Sequence, residues 1–562
     1  MRIGDWGLRS ASAEDFLFPL SFVSGDNSQS AIRCPQSEMA GYLALILHAH
    51  LPFVRHPEHE HFLEEEWLFE AITETYIPLL QMMQRLLRDR VPFKVTMSFT
   101  PTLCAMLRDE LLRERYLQHL DLLLDLSARE IERNRQDPAL LRLAQFYLQL
   151  FSETRRFFVD EWKCDLLAAF RQIRDTGALE IMASAATHGL LPLIYQQSPA
   201  AARAQIFVGR DEYVDVFNEQ PKGFWLPECA YRPGLEWILQ EANLRWFVLD
   251  AHGLMHATPR PQRAVYAPCY TPAGPAALAR DRGSSRQVWS AHGGYPGDPA
   301  YREFYRDIGF DLPMDHLGPV ARDMRKFAGV KYHRITGPSP AKELYDPEAA
   351  KKTADAHAAH FLEERRRQIH QLGASDFDPI VVVPFDAELF GHWWFEGPHF
   401  LELFIRKSAF DQQDFRLTTP SEFLASHPTQ QSVQPAPSTW GEKGHLAVWL
   451  DPSNSWIYPH LHGAAHCMSE LARAQAEKPG GLEDRVLKQL ARELLLAQAS
   501  DWAFLIKTGT AKEYATKRTM DHLVRFNRLR DQVVAGNVDQ QFLHDCEWRD
   551  NLFPNINWRY YI

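Results

Sequence analysis

Two carboxylates stand out by their surroundings. Glu228 lies in GFWLPECAYRPG, directly after Pro227 and between Trp225 and Tyr231. Asp386 follows PIVVVPF, the most hydrophobic run of the chain, and precedes AELFGHWWFEG; Glu388, two residues on, competes with it. Carboxyl groups held beside aromatic rings suit glycoside chemistry, in which one attacks or stabilises the anomeric carbon while the other protonates the leaving oxygen. Tryptophans offer flat apolar faces to sugar rings, and seven of the 15 (Trp225, Trp289, Trp393, Trp394, Trp440, Trp449, Trp456) lie in or beside such polar motifs. His48 and His50 alternate on a strand-like run, so both imidazoles face one way. With His188 and His392 they permit a metal reading. No HExxH and no third ligand at metal-site spacing support it, so these histidines are expected to bind sugar hydroxyls or orient a carboxylate, with no metal and no cofactor. P-loop, GxGxxG and GxSxG patterns are missing, which removes the usual support for nucleotide or serine-hydrolase chemistry.

Such residues need a frame. Short apolar runs ending in polar or aromatic clusters occur at Tyr42–Leu47, Val91–Phe99, Leu179–Ala183, Gly223–Leu226, Trp246–Leu249, Val288–Ser290 and Ile380–Val383. Helical material separates most of them, the pattern of repeated β–α units around a parallel sheet. About seven such units suit a closed or nearly closed α/β barrel, whose functional residues sit at the C-terminal strand ends. The His, Glu, Asp and Trp residues collect there. Residues 107–176 repeat Leu at helical spacing between charges and read as an inserted helical segment. His427–Ser438 (HPTQQSVQPAPS) reads as a linker. Leu482–Gln498 and Ala511–Val534 read as long helices of a C-terminal helical domain. The expected division is therefore 39–106 with 177–430 for the barrel, 107–176 for the insertion and 431–562 for the C-terminal domain.

Composition narrows the partners. The 562 residues are 45% hydrophobic and 24% charged, ordinary for a globular protein. With 61 Lys+Arg against 72 Asp+Glu the formal net charge is -11, which argues against a nucleic-acid backbone as partner and fits a neutral substrate. No run reaches the roughly 18 apolar residues of a membrane helix. Seven cysteines, odd in number and without CxxC, read as reduced thiols of a cytoplasmic protein. Residues 1–38 carry the apolar patch Phe16–Val23 but no positive n-region of a secretory signal. They are expected to form a disordered extension, with the fold starting at Met39. Oligomeric state is not legible.

The longer motifs carry a resemblance. LHAHLPFVRHPE, GALEIMASAATHGLLPLI, GFWLPECAYRPG, VVVPFDAELFGHWWFEG and WGEKGHLAVWLDPSNSWIYPH resemble the five ordered motifs of glycoside hydrolase family 57. The resemblance runs from about Met39 to DWAFLIKTGTAKEYATKRTMDH. It implies an incomplete (β/α)7 barrel with an inserted helical segment and a C-terminal helical domain completing the cleft. It also implies a retaining mechanism without metal, with Glu228 as nucleophile and Asp386 as general acid/base. Within the family, WSAHGGYPGDPAYREFYRDIG and WGEKGHLAVWL look like segments of the 1,4-α-glucan branching enzymes, which act on amylose and glycogen-like glucan. The first implies a loop whose tip, Tyr295, covers the cleft; the second implies Trp440 and Trp449 as groove residues. Trp67, Trp225, Trp289, Trp394, Arg325 and Asp501 complete the expected glucan contacts, with His48, His50 and His188. Rival expectations are a family α-amylase or 4-α-glucanotransferase, a non-catalytic glucan-binding protein, and a metal-dependent carbohydrate deacetylase.

Overall fold

The computed structural model describes residues 40–562 apart from 291–292, 323, 338, 340, 374–376 and 478–479. The extension 1–38 and the start at Met39 lie outside the described residues. Ten strands form one sheet: β1 (Gly41–Ala49), β2 (Val95–Phe99), β3 (Leu179–Ser184), β4 (Gly223–Trp225), β5 (Trp246–Leu249), β6 (Cys269–Tyr270), β7 (Ala276–Ala279), β8 (Ile380–Asp386), β9 (Phe415–Leu417) and β10 (Gln431–Ser432). Seven of them run parallel in the order β8-β1-β2-β3-β4-β5-β7. Between β7 and β8 no ladder forms; Asp281 N–H donates to Val382 O at 2.8 Å and Ile380 N–H to Tyr266 O at 2.9 Å. The sheet is thus an incomplete (β/α)7 barrel.

Period-two alternation decides what lies inside it. Ala44, Ile46, Met182, Trp225, Trp246, Val248, Ala276, Leu278, Ile380 and Val382 pack as one small buried core. Two residues further along the same strands the inward positions become polar: His48, Ser184, Asp250, Arg280 and, four beyond Val382, Asp386. An apolar plug therefore ends in a polar mouth at the C-terminal strand ends.

One strand differs from the sequence reading. Val288–Ser290, expected as a strand, is the end of a helix, Arg282–Trp289, whose N-terminus is capped by the Asp281 carboxylate accepting from Ser284 N–H at 2.7 Å. The strand in that place is β7, whose AALA carries no strand signal because Ala has weak β preference. It is a strand through its pairing with β5, in which Ala276 stands opposite Trp246 and Leu278 opposite Val248, all four buried in the small core.

Helices Glu110–Arg133, Pro138–Arg156 and Leu166–Asp175 connect β2 to β3. After β10 come Ile457–Ala474, Leu482–Ala497, Ser500–Thr508, Lys512–Val534 and Gln540–Arg549. The segment His427–Ser438, read as a linker, is tied to the barrel: Gln434 N–H donates to Thr258 O at 2.8 Å, Ala436 N–H to Gly253 O at 2.9 Å and Ser438 N–H to Tyr231 O at 3.0 Å. Among the described residues no helix is long and apolar enough to cross a membrane. The six described cysteines are free thiols.

Candidate active site

Strand register assembles the mouth. His48 stands opposite Ser98 on β2 and opposite Asp386 on β8, so three polar side chains from three strands share one level. Leu249 stands opposite Ala279, which brings the next residues together: Arg280 Nε donates to Asp250 Oδ1 at 2.7 Å, and Asp250 Oδ2 bonds His252 Nδ1 at 2.6 Å. Burial opposes the charge on Asp250, but His252 and Arg280 outweigh it and hold the carboxyl down at about 2.

Glu228 follows β4 in a tight turn, Pro227–Cys229, with φ 62° and ψ 23°. Cys229 also has positive φ, 46°. Two successive non-glycine residues in the left-handed region are costly and are found where a side chain must be aimed. Backbone bonds hold the turn: Glu228 O accepts from Trp440 N–H at 3.1 Å and Thr439 Oγ1 at 3.0 Å. The carboxylate accepts from Trp440 Nε1 at 2.8 Å on Oε2 and from Ser500 Oγ at 3.2 Å on Oε1. Burial pushes Glu228 up to about 7, against the pull of the Trp440 and Ser500 donors.

Asp386 ends β8, and its carboxylate accepts no hydrogen bond from any described residue. Burial, then the nearby charges of Glu388 and Glu228, push it well above the usual carboxylate range; Arg280 opposes them. Glu388 is fixed instead: its Oε1 accepts from Tyr76 OH at 2.6 Å and His50 N–H at 3.1 Å, and burial pushes it up to about 7. Tyr76 reaches it from a π-helical turn, Ile72–Tyr76, between helices Glu65–Ala71 and Ile77–Arg88, a distortion that re-aims side chains.

The histidines form a stacked group. His48 Nδ1 bonds Ser98 Oγ at 2.5 Å and its Nε2 bonds His188 Nε2 at 3.0 Å. His188 Nδ1 bonds Ser500 Oγ at 2.9 Å. His50 Nδ1 bonds Thr100 Oγ1 at 3.0 Å and its Nε2 bonds Asp501 Oδ1 at 2.9 Å. Burial holds His48 and His188 well below the ordinary value, with His50 adding to it. Burial also opposes charge on His50, but Asp501, Glu388 and Glu228 raise it overall. His50, His188 and Asp501 each bring a ligand atom within 4.8 Å of the others. A metal there would replace the bond between His50 Nε2 and Asp501 Oδ1 and one of the two bonds of His188, to His48 or to Ser500. His392 is elsewhere, buried beside the Glu74–Arg302 ion pair.

The expected aromatic contacts divide. Trp440 meets Trp225 edge-on at 5.1 Å and Trp289 at 6.3 Å. Trp225 is fully buried, stacked on His48 at 4.4 Å. Trp394 is buried among Tyr301 and Phe400, and Trp449 beneath Gly441. Trp67 is buried against Tyr514, which in turn meets Trp502, the residue after Asp501. Arg325 lies on the surface and donates to Gly309 O and Leu312 O. Tyr295, expected after a strand at the tip of a loop that partly covers the cleft, follows a helix, and its side chain is packed inward. Its hydroxyl bonds His360 Nδ1 at 2.7 Å, its ring stacks on His357 at 4.6 Å, and it is 8% exposed. Sequence reading passed over Ser500, Asp250 and Arg280. Arg280 follows an alanine strand that gave no signal, and Ser500 comes from 272 residues beyond its Glu228 partner.

Comparison with known proteins places this arrangement. Residues 44–435 match the family model described as glycosyl hydrolase family 57, and the chain belongs to that family. Residues 460–561 match the model described as 1,4-alpha-glucan branching enzyme, C-terminal. The 1,4-alpha-glucan branching enzyme TK1436 of Thermococcus kodakarensis is 34% identical over 558 residues, covering 92% of this chain and 78% of that protein. The GH57-type branching enzyme of Pyrococcus horikoshii superposes with a TM-score of 0.84 at 34% identity, covering 93% of this chain and 97% of that one. The alpha-amylase AmyC of Thermotoga maritima superposes with a TM-score of 0.87 at 43% identity, covering 93% and 99%.

Proposed function

We propose that the protein is an enzyme acting on α-glucan, a 1,4-α-glucan branching enzyme working by retaining transglycosylation. The observation that carries this reading is the branching-enzyme C-terminal match over residues 460–561, together with curated relatives of that name over nearly the whole chain. Glu228 attacks the anomeric carbon of an α-1,4 linkage while Asp386 gives its proton to the leaving O4. Asp386, now ionised, takes the proton of an acceptor 6-hydroxyl, whose oxygen displaces Glu228 and forms an α-1,6 branch. The surroundings support the division of labour. Glu228 has two donors favouring its carboxylate, whereas burial and the neighbouring carboxylates favour the protonated form of Asp386, whose side chain has no hydrogen-bond partner among the described residues. On this reading the barrel (39–106 with 177–430) carries the pair, and the helical parts 107–176 and 431–562 frame the cleft. The substrate is amylose or a glycogen-like polymer, the place glycogen synthesis in the cytoplasm.

AmyC favours a second reading, hydrolysis, since that neighbour is an alpha-amylase. Incubation with amylose, followed by proton NMR of α-1,6 linkages against new reducing ends, separates the two. Branching gives α-1,6 signals in excess; reducing ends alone mean an amylase, and redistributed α-1,4 chain lengths alone mean a glucanotransferase. Glu228→Gln is expected to lose transfer by at least about 1000-fold with glucan binding retained. Activity in Asp386→Ala but not in Glu388→Ala would reverse the acid/base assignment.

A further inference from the structure

Four hydrogen bonds run in series through the floor of the cleft: Ser98 Oγ to His48 Nδ1 at 2.5 Å, His48 Nε2 to His188 Nε2 at 3.0 Å, His188 Nδ1 to Ser500 Oγ at 2.9 Å, and Ser500 Oγ to Glu228 Oε1 at 3.2 Å. With both imidazoles neutral, Ser98, His48, His188 and Ser500 carry one proton each, four protons for four links. One arrangement places one proton in every link without using a proton from Glu228. Ser98 donates to His48, His48 to His188, His188 to Ser500, and Ser500 to an ionised Glu228. A fifth proton on either imidazole would either set two donors face to face or turn Ser98 into an acceptor, leaving its buried hydroxyl proton without an acceptor in the series. Reversing the series requires a proton on Glu228 Oε1 and leaves the buried Ser98 hydroxyl proton without an acceptor in the series. Trp440 Nε1, which can only donate, already holds Oε2.

We infer that Ser500 is a positioning residue: driven by the His48–His188 pair and anchored at Ser98, it points its single proton at Glu228 and keeps that carboxylate ionised and aimed. The inference rests on the reading of Glu228 as nucleophile. The lowered basicity of both histidines agrees with the neutral series. Besides Ser500, Glu228 is faced by Asp386 from β8, His50 directly after β1, His188 from the turn after β3, and Asp501 and Trp440 from the C-terminal part.

The test compares Ser500→Ala, Ser500→Thr, Ser98→Ala and Glu228→Gln in the full chain, with melting curves for each and kcat and kcat/KM on amylose from about pH 5 to 9. Ser500→Ala is expected to lower kcat about 10- to 100-fold with KM little changed. It should also move the acidic limb of kcat/KM upward by about one pH unit. Ser500→Thr restores both. Ser98→Ala, distant from Glu228, moves the limb the same way by less, and carries the test if Ser500→Ala does not fold. An acidic limb unmoved in Ser500→Ala, or unmoved in Ser98→Ala, overturns the relay. Full activity in Glu228→Gln would instead remove the nucleophile on which it rests.

Discussion

At the scale of single residues the site is held against its own stability. Glu228 binds its proton more tightly in the folded chain, at about 7, than the ordinary value of 4.5. For a raised carboxylate the folded state is penalised as pH climbs from 4.5 to 7, and the full penalty is present above that. The size is up to about 3 kcal/mol. Glu228→Gln should therefore raise the melting temperature at about pH 8, where the carboxylate is charged, and leave it unchanged near about pH 4, where both forms are neutral. Equal melting temperatures at both pH values would show that the buried charge carries no cost. Asp250 has the opposite sign: Arg280 and His252 depress its carboxyl, so its contribution is present at neutral pH and fades as pH falls toward 2.

Among elements, the close seat of helix Pro199–Phe217 on β3 matters most for the site. A Cβ on Gly209 would lie 2.0 Å from Ser184 O, so only glycine lets this helix approach the strand end. From that seat Gln205 O accepts from Ala186 N–H at 2.9 Å, and Gln205 Oε1 accepts from Thr187 N–H at 3.1 Å. Those two bonds hold the turn that presents His188. Gly209→Ala should cost about 1–3 kcal/mol, measured as a lower urea midpoint, and should lower activity more than a surface substitution of equal stability cost. A neutral Gly209→Ala would mean that the helix can move away without disturbing the histidine.

For the molecule as a whole, the C-terminal helices are bound to the segment that follows β1. His56 Nε2 and Tyr514 OH are 2.9 Å apart, Arg518 Nη2 donates to Phe53 O at 3.2 Å, and Arg55 Nη1 donates to Trp548 O at 2.6 Å. Behind this contact Arg518 and Arg525 face the buried Asp550 and Glu493, with His522 between the two carboxylates. The segment after His50 and the helices around Ser500 and Asp501 are thereby joined from both sides of the cleft. Arg518→Met keeps the volume but removes a charge from this cluster, and should destabilise by about 3 kcal/mol in urea unfolding. A loss below about 0.5 kcal/mol would show that Arg525 alone balances the carboxylates.

The alternation of His48 and His50 on an apolar run, and the two carboxylates at strand ends beside tryptophan, were legible because strand geometry is local: period two puts neighbours-but-one on one face. Amphipathic spacing likewise disclosed the helices between β2 and β3 and those of the C-terminal part, where each stripe depends only on residues three and four apart. Tertiary structure decided the rest. β7 is a strand through its pairing with β5, not because AALA prefers to extend. Asp250 and Arg280 meet through a register that no single segment encodes. Ser500 and Trp440 reach Glu228 from more than 200 residues away, and a hydrogen bond leaves no trace in the spacing of residues that far apart. Whether an aromatic side chain lines a groove or fills a core was likewise a matter of packing: Trp225, Trp394 and Tyr295 stand in polar motifs like Trp440, yet their faces are covered by neighbours drawn from distant parts of the chain.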